Sequence, residues 1–301
     1  MTSKKIETKG VRYLGSKNKI LPLIVQVIEG LDVEEKTMID VFTGTTRVAQ
    51  GFKDRDWYLT TSDLSWASEA YASAFICSGD NSHLQKYIDE LNELEGVEGW
   101  LTKNYCDVIA DKGGVVRVWK PKNGKKADAI RDRIEELDIS RQEKMCLIAS
   151  LIFALDKIDN TVGLHQAYLK KWSSKRVDND LKLSLLPCVK GLAGVHIVGD
   201  ALKIDYPNAS VAYLDPPYTA ADYSTYYHIW DSITRWDKPE VSLKTNRRVD
   251  RVKSSDKRDI NMKSPWYSKK TALAATKKLV DRLPVKYCVF SYSDEGLIPY
   301  D

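Results

Sequence analysis

The chain has 301 residues, of which 43% are hydrophobic and 29% are charged, and its net charge is +4. This composition allows a packed core, built as one large domain or as a core with one sizeable insertion. The five cysteines are widely spaced, which excludes a disulfide framework and predicts reduced thiols, no metal site and a cytoplasmic location. No apolar stretch is long enough to span a membrane, and the N-terminus lacks a signal-peptide core.

The first predicted element is an amphipathic helix within residues 11–30, with Ser16 as its N-cap. It follows the sequence Arg12-Tyr-Leu-Gly-Ser-Lys17. The glycine-containing turn leaves free backbone N–H groups before the helix, and Lys17 adds a cation, so this place suits a bound carboxylate. A capped surface helix explains the same residues equally well.

Residues 37–52 predict a strand that ends near Phe42, a turn at Gly44 and a helix from about Thr46. This is the pattern of the first strand–turn–helix of a nucleotide-binding sheet. A second strand ends at Asp63, about twenty residues past the glycine turn, where a carboxylate suits ribose hydroxyls. A helix N-cap at Asp63 is an alternative, and one carboxylate is able to serve both roles.

The strand–helix rhythm stops between about residues 80 and 194, where we predict helices at 83–94, 127–137 and 141–156. The basic stretch Lys112–Lys126 predicts a hairpin or loop, and its cations interleaved with Trp119 suit DNA contacts. A solvated surface loop is the alternative. The sheet pattern returns in residues 195–200, a strand that ends at Asp200.

The next strand, residues 211–214, runs into Asp215-Pro-Pro-Tyr218. The carboxyl end of such a strand is where open α/β sheets bind ligands. The prolines remove N–H donors and fix φ, so the carboxylate and the backbone carbonyls point in set directions. These acceptors suit a primary amine, and the ring of Tyr218 suits stacking on a planar base.

Aromatic side chains are dense after this motif, and we expect them to form walls of a pocket for an extruded base. They are Tyr218, Tyr223, Tyr226, Tyr227, His228, Trp230 and Trp236. Residues 241–270 are strongly charged and predict either a mobile loop that contacts phosphates or a solvated linker. A helix over 271–283 and a fifth strand over 287–292 complete the pattern.

Asp215-Pro-Pro-Tyr218 resembles the catalytic motif of amino-group DNA methyltransferases, and the order of motifs resembles their Dam-like, alpha-ordered adenine-N6 branch. The resemblance implies an α/β fold with a Rossmann-like methyltransferase sheet. Residues 1–79 and 195–301 would form the catalytic domain, and residues 80–194 a largely helical, inserted target-recognition region. The implied reaction transfers a methyl group from S-adenosylmethionine to N6 of an extruded adenine in a specific sequence of double-stranded DNA.

The same resemblance assigns roles to individual residues. The catalytic residues would be Asp215, Pro216, Pro217 and Tyr218. The cofactor-binding residues would be Tyr13, Gly15, Lys17, Asp40, Phe42, Gly44, Asp63, Asp200 and Asp215. Further polar candidates for DNA recognition are Asn160, His165, Gln166 and Tyr168. The chain departs from the family pattern Phe-x-Gly-x-Gly at Thr46, where a β-branched residue costs little if its φ is negative.

The family's final helix and antiparallel hairpin are not found after the fifth strand, so we expect a truncated product or a second polypeptide that completes the fold. The implied role is restriction–modification or protection of phage or mobile-element DNA, with a cognate restriction endonuclease as a candidate partner. Cytosine-N4 methylation and a DNA-binding or cofactor-binding subunit of a split enzyme are alternatives. Methylation of an RNA base or a protein glutamine is disfavoured by the large insertion and by residues 12–17.

Overall fold

A five-stranded parallel sheet forms the centre of the protein. The computed structural model describes residues 6–109, 115–165, 169, 171–242, 244–252, 257 and 264–298. The strands are β1 (Thr37–Asp40), β2 (Tyr58–Asp63), β5 (Val195–Val198), β6 (Ala209–Leu214) and β7 (Val285–Phe290). Their order in the sheet is β5-β2-β1-β6-β7, and every pairing is parallel. The predicted α/β fold with a Rossmann-like sheet is confirmed.

The chain changes direction across the sheet between β1 and β6. From β1 it proceeds outward to β2 and β5, whereas β6 lies on the other side of β1 and continues to β7. Asp40 pairs in register with Tyr213, so the acid that ends β1 lies beside Asp215, which directly follows β6. Open α/β sheets bind ligands at such a switch point, at the carboxyl ends of the strands.

Helices cover both faces of the sheet, and a small antiparallel hairpin lies in the insertion. The helices are α1 (Leu21–Glu29), α2 (Arg47–Lys53), α3 (Trp66–Ala72), α4 (Gln85–Glu93), α5 (Trp100–Tyr105), α6 (Pro121–Glu136), α7 (Arg141–Ile158), α8 (Tyr223–Tyr226), α9 (His228–Arg235) and α10 (Ala272–Val280). The hairpin consists of β3 (Cys106–Ile109) and β4 (Val115–Arg117). In the described residues, no helix combines the length and apolar composition that crossing a bilayer requires.

Successive residues of the central strands contribute to two different hydrophobic cores. Met38 and Val211 belong to a large core that also contains α7 residues of the insertion, whereas Ile39 and Ala212 pack with α10 on the opposite face. This alternation follows from the strand period of two. Because the large core is continuous from the sheet into the predicted insertion, the helices of that insertion are built onto the central sheet. The division at residues 80 and 194 stays a prediction.

The first helix begins later than predicted. Ser16 makes no capping hydrogen bond; Lys17–Lys19 form a 3-10 turn, and α1 starts at Leu21 with Pro22 in its first turn. Proline is favoured there because the first helical N–H groups have no partner within the helix. The predicted cap is therefore wrong. Residues 12–17, which we call the strap, contain a turn at Leu14 and Gly15 and lead into the 3-10 turn at Lys17.

The described part of the basic stretch is divided between a strand and a helix, since Val115–Arg117 form β4 and α6 begins at Pro121. Residues 110–114 lie outside the described residues. Trp119 is fully buried, and its Nε1 donates to the carbonyl of Leu155 at 3.1 Å. A DNA contact through Trp119 is therefore ruled out in this conformation, because its ring belongs to the core.

Two predicted DNA-recognition residues have structural roles instead. Asn160 is buried; its Nδ2 donates to the carbonyl of Arg117 at 3.0 Å, and its Oδ1 accepts from the Ser173 backbone at 3.0 Å. The His165 ring is also buried and meets Trp230 edge-on, with centroids 4.5 Å apart, while the backbone N–H of His165 donates to the carbonyl of Tyr226 at 2.7 Å. Because both side chains are inside the protein, their assignment as base contacts is corrected. The other two candidates, Gln166 and Tyr168, lie outside the described residues.

Candidate active site

One cleft at the carboxyl edge of the sheet contains every residue predicted for catalysis or cofactor binding. These residues are Tyr13, Gly15, Lys17, Asp40, Phe42, Gly44, Asp63, Asp200, Asp215, Pro216, Pro217 and Tyr218. They come from the strap and from the ends of four neighbouring strands, β1, β2, β5 and β6. The topology of the sheet therefore brings together groups that are as much as 205 positions apart in the sequence, from position 13 to position 218.

Two carboxylates at the ends of β1 and β2 lie deep in the cleft. Asp40 is 1% exposed, and its Oδ2 accepts a hydrogen bond from the Thr43 hydroxyl at 2.8 Å. Burial raises the pKa of Asp40 to about 7 and the pKa of Asp63 to about 6, because desolvation disfavours the charged form. This end of the cleft is therefore rich in hydrogen-bond acceptors whose charge changes near neutral pH.

Asp63 also organises the glycine turn. Its carboxylate accepts from the backbone N–H of Gly44 at 2.9 Å and from that of Ser65 at 2.8 Å, immediately before α3. The two functions considered for this acid are thus compatible in the structure. It stabilises the start of α3, and it remains on the cleft wall beside the turn.

Thr46 adopts a conformation that β-branched residues rarely take. Its φ is +61°, in the left-handed region, so the condition under which a β-branched residue would cost little, a negative φ, is not met. It is buried, and its hydroxyl accepts from Gln50 Nε2 at 3.1 Å. The turn keeps the shape that a glycine would give it, at the cost of backbone strain.

Comparison of Thr46→Gly with Thr46→Ala isolates that strain, because both variants lose the bond to Gln50. We expect the glycine variant to be more stable than the alanine variant by about 1 kcal/mol, since alanine keeps the left-handed cost. Chemical denaturation followed by circular dichroism measures the difference. Equal stability, or a more stable alanine variant, would contradict the assigned conformation.

The strap is held against the cleft by an aromatic stack. The ring of Tyr13 lies parallel to that of Tyr227, with centroids 4.3 Å apart and 17° between the planes. The Tyr227 hydroxyl accepts from the N–H of Leu14 at 2.6 Å. A Cβ on Gly44 would lie 3.5 Å from the Tyr13 ring, so Tyr13 covers the glycine turn closely.

A group of charges joins the strap to the insertion. The Arg12 guanidinium contacts the carboxylates of Asp156, at 3.2 Å, and of Asp159. Asp159 is buried and also pairs with Arg176 at 2.9 Å, while both arginines donate to the carbonyl of Thr161. A buried carboxylate requires such partners. The end of α7 and the following loop are thereby fixed to the residue that precedes Tyr13.

Asp215 and Lys17 form an ion pair inside the cleft. Lys17 Nζ lies 2.5 Å from Asp215 Oδ2 and donates to the carbonyl of Gly15 at 3.0 Å. Burial raises the pKa of Asp215 to about 6, and the neighbouring ammonium opposes that rise. The sequence predicted Lys17 as a cofactor contact, but in the structure its ammonium is engaged by the predicted catalytic acid.

Tyr218 closes the cleft on the side of the C-terminal strand. Its ring meets Tyr292 edge-on at 6.2 Å, and its carbonyl accepts from the N–H of Leu297 at 3.1 Å. Gly15 has φ +84°, and a Cβ there would be 3.2 Å from the Tyr218 hydroxyl and 3.4 Å from that of Tyr223. A glycine at this position therefore allows the strap and the two tyrosines to meet.

Of the aromatic residues predicted as pocket walls, Tyr218 and Tyr223 line the cleft. His228 and Trp230 are buried in the protein core, and Trp236 instead packs against Trp100, with centroids 6.2 Å apart. They are not walls of this cleft. For His228 and Trp230 the helix α9 explains the error, because it buries both aromatic residues in the core, where a pocket cannot use them.

One wall of the cleft was not found from the sequence. Residues 264–267 line it, with Trp266 edge-on to Phe42 at 5.0 Å and its Nε1 bonded to the Thr276 hydroxyl at 3.0 Å. The prediction for residues 241–270 was either a mobile loop that contacts phosphates or a solvated linker, and neither includes a cleft wall. Arg248 also differs from the prediction of an exposed cation in this stretch, because its side chain is buried and pairs with Asp237 and Asp250. The available signal was Ser264-Pro265 followed by two aromatics, which is typical of a capped turn.

Residues 13–288 match the family model described as D12 class N6 adenine-specific DNA methyltransferase. The chain belongs to this family. The predicted resemblance to adenine-N6 DNA methyltransferases is therefore confirmed, and the family implies a methyl donor. The glycine turn and the strand-end acids of the cleft lie within the matched residues.

The chain is also similar to individual proteins named as modification methylases or type II methyltransferases. The chain is 28% identical to the modification methylase LlaI of Lactococcus lactis subsp. lactis, over 97% of this chain and 47% of that protein. It is 29% identical to the modification methylase StsI of Streptococcus sanguinis, over 96% and 44%, and 27% identical to the type II methyltransferase M.NlaIII of Neisseria lactamica, over 96% and 85%. The chain thus spans about half the length of LlaI and StsI.

Proposed function

We propose that this protein transfers a methyl group from S-adenosylmethionine to N6 of an extruded adenine within a specific sequence of double-stranded DNA, in the cytoplasm. The observation that carries the proposal is the placement of Asp215 and Tyr218 in one cleft with the glycine turn, at the β1/β6 switch point. Membership of the D12 class supports adenine N6 as the target atom.

The residues of the cleft fit this cofactor by their chemistry. S-adenosylmethionine supplies a methyl group that its sulfonium makes electrophilic. Asp40, Asp63 and Asp200 provide carboxylate acceptors, which suit the cofactor's ammonium, its ribose hydroxyls and its adenine amino group. Phe42 and Trp266 provide an apolar surface beside these acids, which suits a purine ring.

The acid–proline–proline–tyrosine segment fits an exocyclic amine. Such an amine is a weak nucleophile because its lone pair is delocalised into the ring. Acceptance of its N–H groups by Asp215 and by the Pro216 carbonyl favours a pyramidal nitrogen with an available lone pair. Tyr218 would stack on the extruded base, and the rigid prolines would fix the base in line with the donor. Asp215 would also stabilise the positive charge that develops on nitrogen.

The inserted region, residues 80–194, is our candidate for target recognition. Its loop after α7 is fixed to the strap through Arg12 and Asp159, which brings that loop to the cleft. Within this loop the side chain of Val162 is 67% exposed. A DNA-contacting surface next to the target-base pocket is the arrangement that base extrusion requires.

The proposal is tested by DNA sequencing with modification detection, on DNA from cells that express this chain alone or with its genomic neighbours. We expect N6-methyladenine in one sequence context. N4-methylcytosine would support the alternative amino-group chemistry, and an unmodified genome together with cofactor binding would support a subunit of a split enzyme. Methylation only in the presence of a neighbour would identify a second polypeptide, and a neighbour that cuts the unmodified sequence would be the cognate endonuclease.

A further inference from the structure

We propose that Lys17 is a partner of the catalytic carboxylate rather than of the cofactor: it occupies one oxygen of Asp215 and leaves the other oxygen for the target amine. This inference rests on the proposed function. It assigns Lys17 to the reacting end of the cleft, where the sequence placed it at the methionine end of the cofactor. The argument depends on three observations about the ion pair and its surroundings.

The first observation is that the ammonium of Lys17 is already committed. Two of its three donors are used, by Asp215 Oδ2 at 2.5 Å and by the carbonyl of Gly15 at 3.0 Å. The side chains are only 12% and 15% exposed, so solvent screens the pair weakly. The second acceptor, the carbonyl of Gly15, belongs to a residue of the strap whose backbone is in the left-handed region. The lysine is thus tied to its own strap and to the acid together.

The second observation concerns the other carboxylate oxygen. Asp215 Oδ1 is buried and accepts no hydrogen bond from the residues that the structure describes. A buried carboxylate oxygen without a donor is costly, so the arrangement favours a donor that arrives with a ligand. An exocyclic N–H group is such a donor. We therefore assign Oδ2 of Asp215 to Lys17 and Oδ1 to the amine of the substrate.

The third observation places the ammonium next to the stacking residue. Lys17 Nζ lies 5.4 Å from the centre of the Tyr218 ring, within the range of a cation–π contact. Lys17 therefore joins the acid and the ring that would hold the two sides of the same base. A cofactor carboxylate would have only the third N–H of this ammonium left to accept from, since the other two are used by Asp215 and Gly15.

The consequence for the reaction follows from charge. The amine nitrogen forms a bond to the methyl carbon, the electron pair of the carbon–sulfur bond remains on sulfur, and the nitrogen becomes cationic and loses one proton. Asp215 Oδ1 accepts that proton and passes it to water. The carboxylate must be ionised to do this, and the ammonium of Lys17 lowers the pKa of Asp215 against the effect of burial.

Replacement of Lys17 by methionine removes the charge and keeps an unbranched side chain, and Lys17→Arg restores the charge. We expect the acidic limb of the pH profile of single-turnover methyl transfer to move upward by about 1–2 pH units in Lys17→Met, because loss of the ammonium raises the pKa of Asp215. Lys17→Arg should keep the limb near its wild-type position. The affinity of the Lys17→Met variant for S-adenosylhomocysteine, measured by calorimetry, should stay within about threefold of wild type.

Lys19 offers a matched control, since it lies in the same turn and is exposed. Lys19→Met should change neither the acidic limb of the pH profile nor the affinity for S-adenosylhomocysteine. If the acidic limb of the pH profile did not move in Lys17→Met, the proposal would be overturned. A tenfold or greater loss of S-adenosylhomocysteine affinity would also overturn it, because Lys17 would then be a cofactor contact.

A readout that needs no methyl transfer separates this inference from the proposed function. Carbon-13 NMR of protein labelled at its aspartate carboxyl groups follows the titration of Asp215, which Asp215→Asn identifies by its missing signal. The Asp215 midpoint should rise by about 1–2 pH units in Lys17→Met. If no DNA base is methylated but the midpoint rises, the ion pair stands and the proposed reaction fails. If the midpoint does not change, the role of Lys17 is refuted whatever the reaction.

Discussion

Asp215→Asn is expected to reduce methyl transfer to DNA by about 10²–10³-fold, which is the usual effect of removing one electrostatic stabiliser from an active site. Asparagine has nearly the same shape as aspartate but carries no negative charge. It would leave Lys17 without its counter-charge and the target amine without a charged acceptor. Single-turnover kinetics with tritiated S-adenosylmethionine measures the chemical step directly, apart from product release.

Cofactor affinity distinguishes a catalytic effect from a damaged cleft. The dissociation constant of S-adenosylhomocysteine for Asp215→Asn should stay within about threefold of wild type. Asp205→Asn is a suitable control, because Asp205 is fully exposed and outside the cleft, and it should methylate at the wild-type rate. If Asp215→Asn retained a tenth or more of the activity, the proposed chemistry would have to be abandoned.

Asp63→Asn is expected to weaken cofactor binding by about 10–100-fold, the range for loss of one or two hydrogen bonds to a charged group. Asparagine provides a single acceptor oxygen, whereas both Gly44 and Ser65 donate to this carboxylate. The variant would weaken both the proposed ribose contact and the hydrogen bonds that shape the glycine turn. Calorimetric titration with S-adenosylhomocysteine measures the loss.

The pH dependence of the wild-type protein gives a second test of Asp63. Burial raises its pKa to about 6, so the carboxylate becomes protonated as the pH falls through that value. Cofactor affinity should therefore decrease below about pH 6 in the wild type, and part of this decrease should be missing in Asp63→Asn. Wild-type affinity in Asp63→Asn at pH 8 would exclude the ribose role.

The acids at the strand ends and the glycine turn were predictable because parallel strands bring their carboxyl ends to one edge of a sheet. Position after a predicted strand indicated Asp63 and Asp215 as cleft residues, whereas the cofactor-binding roles of Asp40 and Asp200 came from the family resemblance. The strap was predicted only in part: its residues were identified, but the Lys17–Asp215 pair joins positions that no local pattern connects.

The errors have physical causes as well. Asn160 and Trp119 resemble DNA-contacting residues in sequence, because a pattern does not show whether a polar or aromatic group finds its partners inside the protein. The sequence left the φ of Thr46 open, because the fold imposes a backbone conformation that its side chain alone would disfavour. The wall formed by residues 264–267 lies far along the chain from the glycine turn, beyond the reach of any short motif.

The shared carboxylate of Asp159 has a consequence for engineering new specificities. Arg12 from the strap and Arg176 from the insertion both contact this one buried carboxylate. If the insertion is the target-recognition region, as we propose, a corresponding region transplanted from a relative would not fit as an independent module. The transplanted region would have to contain an acid that pairs with Arg12, or position 12 would have to be replaced by the residue that the relative has there. A chimera that lacks this contact should hold the strap less firmly against the cleft. Its cofactor affinity should therefore decrease, although no residue that lines the cleft has been changed.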